Sequence, residues 1–440
     1  VRWGEGARAL IAAVCTEFAE FAEFTVDGQV GDGPLDWDGY AAARARATER
    51  TGETESVVCG RASIGPTAAV VVAFDFRFLG GSVGTATGDR IVRAFDEARR
   101  ADLPLVSFLA TGGSRMQEGM LSLRQLQRIT RAAAGVRRVS VLGDPTTGGL
   151  WASLGAGADV VIAVAGAQVG FAGSRVRPVA DDPAYTAEGQ FAAGHVDEVC
   201  APEDVAEAVA QWLLLLAAQP GATAEVPYAL GESTPATDGW PAVRRARDPR
   251  RPRAQAYLDD YFTTRRHISG DRAGGVDPGM LCGIGLHARG PVAFAAQAGT
   301  ATTPAGFRTA TRLIRLANRV DIPVLTIVDT PGAANDPAAE RAGAGQAIAE
   351  LFAAVAASRV PVTTLVIGEG GSGGALALCA PDNTWITPDA YFSVIAPELG
   401  AAILKRPADE APATAAQLRL RPQDLVELGV LRGIAGLRRW

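Results

Sequence analysis

Pro104-Leu-Val-Ser-Phe-Leu-Ala-Thr-Gly-Gly113 is a run of apolar residues that enters after a proline and leaves through a glycine pair. Such a run is too short for a helix and too continuous for a half-exposed strand, so it predicts a strand buried on both faces. The stretch that follows, Glu118–Ala134, has helical periodicity. The same strand–turn–helix pattern returns at Pro323-Val-Leu-Thr-Ile-Val-Asp-Thr-Pro-Gly332, which is offset by 219 positions. A second pair, Leu142-Gly-Asp-Pro-Thr-Thr-Gly-Gly149 and Ile367-Gly-Glu-Gly-Gly-Ser-Gly-Gly374, is offset by 225. Two motifs in the same order at nearly one offset point to a duplicated domain.

Working outward, further buried runs lie at Ala68–Phe74, Val139–Leu142, Asp159–Val164, Pro291–Ala296, Pro361–Ile367 and Thr384–Thr387. Amphipathic stretches at Gly88–Ala101, Phe307–Val320 and Gly345–Ser358 separate them. Alternating buried strands and helices predict an α/β fold. The expected organisation is an N-terminal domain over residues 1–219, a linker over 220–255 and a C-terminal domain over 256–440. Pro, Gly, Thr and Arg dominate the middle stretch. Its charge run, Arg244-Arg-Ala-Arg-Asp-Pro-Arg-Arg-Pro-Arg253, lacks interleaved aromatics, so it reads as a solvated linker rather than a nucleic-acid patch.

Composition narrows the chemistry. The 440 residues carry 42 Lys+Arg against 48 Asp+Glu, a formal charge of −6, with 48% hydrophobic residues. There are 51 Gly but only 3 His and 5 Cys. Cys15, Cys59, Cys200, Cys282 and Cys379 are too far apart for a metal cage, and they read as reduced thiols of a cytoplasmic protein. No run approaches the ~20 apolar residues of a membrane span. His195, His267 and His287 have no spacing that suggests a metal site or a base–nucleophile pair. No G-x-S-x-G elbow is present, and the one lysine, Lys405, is remote from any Walker-type loop. Glu118 and Glu369 read as helix N-terminal caps.

What remains is glycine. Four Gly-rich turns each follow a strand and precede a helix: Thr111-Gly-Gly-Ser-Arg115, Thr147-Gly-Gly-Leu150, Thr330-Pro-Gly-Ala333 and Gly370-Gly-Ser-Gly-Gly-Ala375. The first N–H groups of a helix have no intrahelical partner, and glycine lets a ligand come close to them. Such groups can hold a phosphate or a developing oxyanion. Gly80-Gly-Ser-Val-Gly84 opens another helix and suits close packing as well as an anion.

These residues resemble a known family. Phe74-Asp-Phe-Arg-Phe-Leu-Gly-Gly-Ser-Val-Gly84, Gly112-Gly-Ser-Arg-Met-Gln-Glu-Gly119, Asp144-Pro-Thr-Thr-Gly-Gly149 and Val169-Gly-Phe-Ala-Gly173 are similar to the β subunit of bacterial acetyl-CoA carboxylase carboxyltransferase. Asp329-Thr-Pro-Gly-Ala333, Ile367-Gly-Glu-Gly-Gly-Ser-Gly-Gly-Ala-Leu-Ala377 and Ser393-Val-Ile-Ala-Pro-Glu398 are similar to its α subunit. The chain resembles a fusion of both, from about Asp36 to Gly433.

The resemblance implies two tandem crotonase-like domains. It also implies transfer of a carboxyl group from carboxybiotin, borne on a separate carrier protein, to the α-carbon of an acyl-CoA through an enolate. Biotin would accept the α-proton, so no His base is needed, and no metal is implied. Gly112 and Gly113 would form one oxyanion hole and Gly374 and Ala375 the other, with Gly148, Gly149 and Gly332 shaping them. Arg77, Ser82, Arg115 and Gly373 would face coenzyme A or biotin. The implied partners are a biotin carboxyl carrier protein, a biotin carboxylase and a second copy of the chain. Three departures stand out. No four-Cys zinc ribbon precedes Asp36, the segment Gln297–Gly306 is short and has no Lys, and Arg432-Gly433 replaces an acidic pair. These suit a specialised relative with its own acyl-CoA. Two other readings remain open at this level: decarboxylation of a malonyl-type thioester, and a non-catalytic carrier-binding scaffold.

Overall fold

The computed structural model describes residues 3–22, 31–179, 181–219 and 221–437. The chain divides into two compact units, Val1–Ala217 and Ala218–Trp440. The first holds one sheet of β1 (Glu17–Glu20), β2 (Val57–Ile64), β3 (Thr67–Phe74), β4 (Leu105–Thr111), β5 (Arg138–Thr147), β6 (Val160–Val164), β7 (Val169–Gly170) and β8 (Glu198–Cys200). The spatial order is β1-β2-β3-β4-β5-β6-β8, with β7 beside β5. β1, β2 and β3 pair antiparallel, and every later pairing is parallel.

The second unit repeats this plan strand for strand. Its sheet contains β9 (Thr264–Ile268), β10 (Met280–His287), β11 (Gly290–Gln297), β12 (Val324–Thr330), β13 (Val362–Gly371), β14 (Thr384–Ile386), β15 (Tyr391–Ser393) and β16 (Gly433–Ile434). The order is β9-β10-β11-β12-β13-β14-β16, with β15 beside β13, and the pairing senses match those of the first unit. Residues Leu105–Thr111 and Val324–Thr330 are buried throughout, which is why both read as unbroken apolar runs. The duplication is therefore structural.

Register corrects one detail. Leu109 pairs with Leu142 and Val328 with Val366, so β4 and β12 keep the offset of 219 while β5 and β13 are offset by 224, not 225. Gly148 thus corresponds to Ser372, and both have positive φ, 71° and 57°. In GEGGSGG there is no side-chain pattern to fix the alignment, so the sequence comparison slips by one residue.

The expected linker is also corrected. Apart from Pro220, which lies outside the described residues, residues 221–255 belong to the second unit and carry the helix Gly239–Arg247 and the start of Ala254–Tyr261. The Asp238 carboxylate caps the first helix by accepting the Gly239 N–H at 2.7 Å. Ala242, Val243 and Ala246 pack against Tyr391, Ala415 and Leu420. The arginines sit in the last turn, where they complement the helix dipole.

Candidate functional site: paired glycine turns

In the first unit, β4 ends at Thr111 and the chain turns through Gly113, whose φ of 106° excludes a side chain without strain. The Gly112 N–H donates to the Gly80 carbonyl at 2.9 Å, and the Gly113 N–H to Thr111 Oγ1 at 3.0 Å. Both N–H groups therefore have acceptors within the unit. The next residue differs: Val83 brackets Ser114, donating its N–H to the Gly113 carbonyl and accepting from the Arg115 N–H, both at 2.9 Å. Among the described residues nothing accepts the Ser114 N–H.

The second unit repeats this wiring. The Gly332 N–H donates to Thr330 Oγ1 at 3.1 Å. Thr302 brackets Ala333, its N–H donating to the Gly332 carbonyl at 3.0 Å and its carbonyl accepting from Ala334 at 2.8 Å. The Ala333 N–H has no acceptor among the described residues.

The facing turns complete each site. The Gly148 N–H donates to the Phe171 carbonyl at 3.0 Å, while those of Gly149 and Leu150 meet no acceptor among the described residues. A Cβ on Gly113 would lie 3.4 Å from Gly148 Cα, so the two backbones touch. In the second unit, a Cβ on Gly374 would lie 2.4 Å from the Ala333 nitrogen. Only glycine lets the two backbones pack so closely there. Ala375 is fully buried in the short helix Ser372–Leu376, and Gly373 is exposed, with nothing within 4 Å of a Cβ. The structure therefore brings the predicted glycines together in two facing turns per unit, with the Gly112 and Gly113 N–H groups engaged and that of Gly149 without an acceptor among the described residues. Ser114 and Ala333 carry no signal in the sequence, because the glycines around them dominate the motif.

The charged residues mostly buttress. Arg115, expected to face coenzyme A, is fully buried. It forms a two-pronged pair with Glu55 at 2.7 and 2.8 Å and donates to the Ser82 carbonyl at 2.8 Å and to Ser82 Oγ at 3.2 Å. Arg115 therefore holds the turn from behind, and Ser82 is its acceptor rather than a ligand contact. Burial alone would raise the Glu55 carboxyl, but the Arg115 charge and hydrogen bonds outweigh it and hold the group below its ordinary range. Glu118 is also buried; it accepts the Thr85 N–H at 2.7 Å, capping the helix Thr85–Ala101, and the Tyr40 hydroxyl at 2.7 Å. Burial pushes the Tyr40 hydroxyl up to about 12. Arg77 pairs with Asp75 at 2.7 Å but keeps 37% of its side chain exposed.

In the second unit the charges are reversed. The anions, Asp329 and Glu369, sit at the strand ends, and the misread linker supplies the cations. Arg251 and Arg253 reach Asp329 at 2.5 and 3.1 Å, and Arg247 reaches Glu369 at 2.8 Å. Glu369 is therefore an ion-pair partner rather than a cap. His267 and His287 lie on β9 and at the end of β10, and burial lowers the pKa of both. No cluster of metal-ligating residues occurs among the described residues. Exposed Met116, Met120 and Phe171 flank the first site, and Leu376 and Val394 flank the second.

A family model described as a carboxyl transferase domain matches residues 33–211. Another, described as acetyl co-enzyme A carboxylase carboxyltransferase-like, matches residues 232–436. The acetyl-coenzyme A carboxylase carboxyl transferase subunits beta/alpha of Salinispora tropica are 41% identical over 90% of this chain and 75% of their own length. The chain belongs to the acetyl-CoA carboxylase carboxyltransferase family. The corresponding protein of Saccharopolyspora erythraea is 39% identical over 90% of this chain and 74% of its own. A probable biotin-dependent acyl-coenzyme A carboxylase beta3 subunit of Mycobacterium bovis is 31% identical over 90% and 82%. Among solved structures, the transcarboxylase 12S hexamer superposes with a TM-score of 0.79 at 21% identity, covering 98% of this chain and 86% of that one. A single-chain long-chain acyl-CoA carboxylase superposes with a TM-score of 0.75 at 20% identity, over 98% and 45%. The carboxyltransferase fold is thus two tandem crotonase-like domains, as the motifs implied.

Proposed function

We propose that this carboxyltransferase moves a carboxyl group from biotin on a separate carrier protein to the α-carbon of an acyl-CoA. The observation that carries the reading is the repeated wiring around Ser114 and Ala333: a backbone N–H left without an acceptor, aimed from a turn that touches a second turn. This donor set fits groups that develop negative charge on oxygen, and the bare, exposed Gly373, with nothing within 4 Å of a Cβ, leaves room for a ligand beside the turn. Biotin, when bound, supplies the carboxyl group and takes up the substrate's α-proton. The chain's own part is electrostatic. In one unit the unpartnered N–H groups hold the thioester oxygen as charge builds on it. Those of the other unit hold the carboxyl-donating group. Both sets are fixed before the reaction by buried ion pairs, so little reorganisation is needed.

Arg77, which keeps 37% of its side chain exposed beside its pair with Asp75, would meet coenzyme A. The apolar residues beside each site support a homodimer or larger assembly and a carrier-binding face. A biotin carboxylase would recharge the carrier. Unpaired thiols at all five cysteines suit a cytoplasmic setting. The test is transfer of labelled carboxylate from a biotinylated carrier to a panel of acyl-CoAs. Label that remains on the carrier with every acyl-CoA overturns the proposal. CO2 release from a malonyl thioester without the carrier would establish decarboxylation instead.

A further inference from the structure

We infer that the Gln297 carboxamide is a positioning residue that sets the spacing of the two turns in the second unit. Gln297 ends β11 and is fully buried. Its Nε2 donates to the Gly374 carbonyl at 3.2 Å and to Thr302 Oγ1 at 3.0 Å. Thr302 is the residue whose backbone grips both neighbours of Ala333. One amide therefore ties the bracket around the Ala333 N–H to the helix that faces it. The contact it ties is the one into which a Cβ on Gly374 would intrude, 2.4 Å from the Ala333 nitrogen.

The two ends of the amide are not equally engaged. Gln297 Oε1 is buried and has no hydrogen-bond partner. Rotating the amide would set that oxygen against the Gly374 carbonyl, which can only accept, so that carbonyl fixes the orientation seen. The engaged half is the NH2 group, and an apolar side chain of similar length would fill the same volume without either donor. Keeping glutamine here therefore argues for what its NH2 group holds. The first unit has no counterpart, since Val83, the bracketing residue there, carries no hydroxyl.

The kinetic arm of the test rests on the proposed carboxyl transfer; the exchange arm does not. Gln297→Met keeps the length and removes both donors. In the full chain, hydrogen exchange should quicken about tenfold or more in peptides covering Thr330–Ala334 and Ser372–Leu376, while Gly112–Arg115 stays unchanged. kcat should fall about tenfold or more with the KM for acyl-CoA within about twofold, because the lost contact acts on the transition state. Gln297→Leu, which likewise lacks both donors, should behave alike. Unchanged exchange in both turns overturns the inference. So does a Gln297→Met chain that cannot fold, because the amide would then be a stability element. If the native chain transfers no carboxyl group to any acyl-CoA while the exchange result holds, the function fails and the positioning role stands.

Discussion

Substituting Gly374 with alanine tests the second site with the smallest possible change. The new methyl carbon would lie 2.4 Å from the Ala333 nitrogen, 2.9 Å from the Gly332 carbonyl carbon and 3.0 Å from Ala333 Cα. All three are backbone atoms, so no side chain can swing away. Ordinary contact begins near 3.4 Å, and the two turns must separate by about 1 Å. A displacement of that size costs about 10²-fold in rate, and outright loss of one backbone donor about 10²–10³-fold, or ~2.7–4 kcal/mol. Stability should change less. Alanine favours the helix by about 1 kcal/mol, which offsets part of an overpacking cost of about 1–3 kcal/mol. Expected in the carrier-to-acyl-CoA assay is a kcat lower by about 10²-fold or more, with the KM for acyl-CoA changed less than about threefold. Gly345→Ala, in the helix Ala344–Ala356 with nothing within 4 Å of the added methyl, serves as the control and should match the native rate. A Gly374→Ala enzyme within about threefold of the native kcat would refute the claim that the close packing of these two turns matters to the reaction.

Arg115→Met leaves Glu55 buried without its cation, and should cost about 3–5 kcal/mol in urea unfolding. The pH dependence should also reverse. In the native chain Glu55 is held below its unfolded value of 4.5, so its contribution is complete above that pH and fades as pH falls through the folded value. In the variant, burial would raise the group instead, and stability should drop between pH 5 and 7; identical pH slopes in the two proteins would contradict this. A second-unit fragment that begins at residue 256 lacks Arg247, Arg251 and Arg253, and should melt well below one that begins at residue 221; equal melting by circular dichroism would restore the linker reading. Burial pushes the thiols of Cys59 and Cys379 up to about 12, so neither should react with a maleimide at pH 7.5 until the protein is denatured, as peptide mass mapping would show.

The sheet cores were readable because parallel strands buried on both faces leave uninterrupted apolar runs, and those runs recur in both halves. What escaped shares one cause: the deciding feature was not a side-chain pattern. The register of β13 was lost in a glycine-rich segment without periodicity. The unpartnered N–H groups of Ser114 and Ala333 leave no trace in the sequence, because they belong to the backbone and not to either side chain. In the middle stretch, the arginines concealed the apolar spacing of Ala242, Val243 and Ala246, and no local rule says that Arg251 will find a carboxylate 78 positions away at Asp329. Arg115 was misplaced for the same reason. Its partner Glu55 is 60 positions distant and invisible to any motif.

The two units solve one problem with opposite charges, and this bears on how the sites could diverge. Each must hold a glycine turn rigid without placing a side chain in it. The first unit puts the cation in the turn, at Arg115, and draws carboxylates from Glu55 and Glu118. The second puts the anion in the strand, at Asp329, and draws cations from a segment that precedes its sheet. The supports lie behind the backbone, so either can change without altering the N–H groups in front. Equal donors can therefore face different ligands, and two copies of one fold can serve the two halves of a transfer reaction. The constraint that remains is the backbone itself. At Gly113, whose φ is 106°, and at Gly374, packed against Ala333, no substitution behind the turn can compensate for an added side chain.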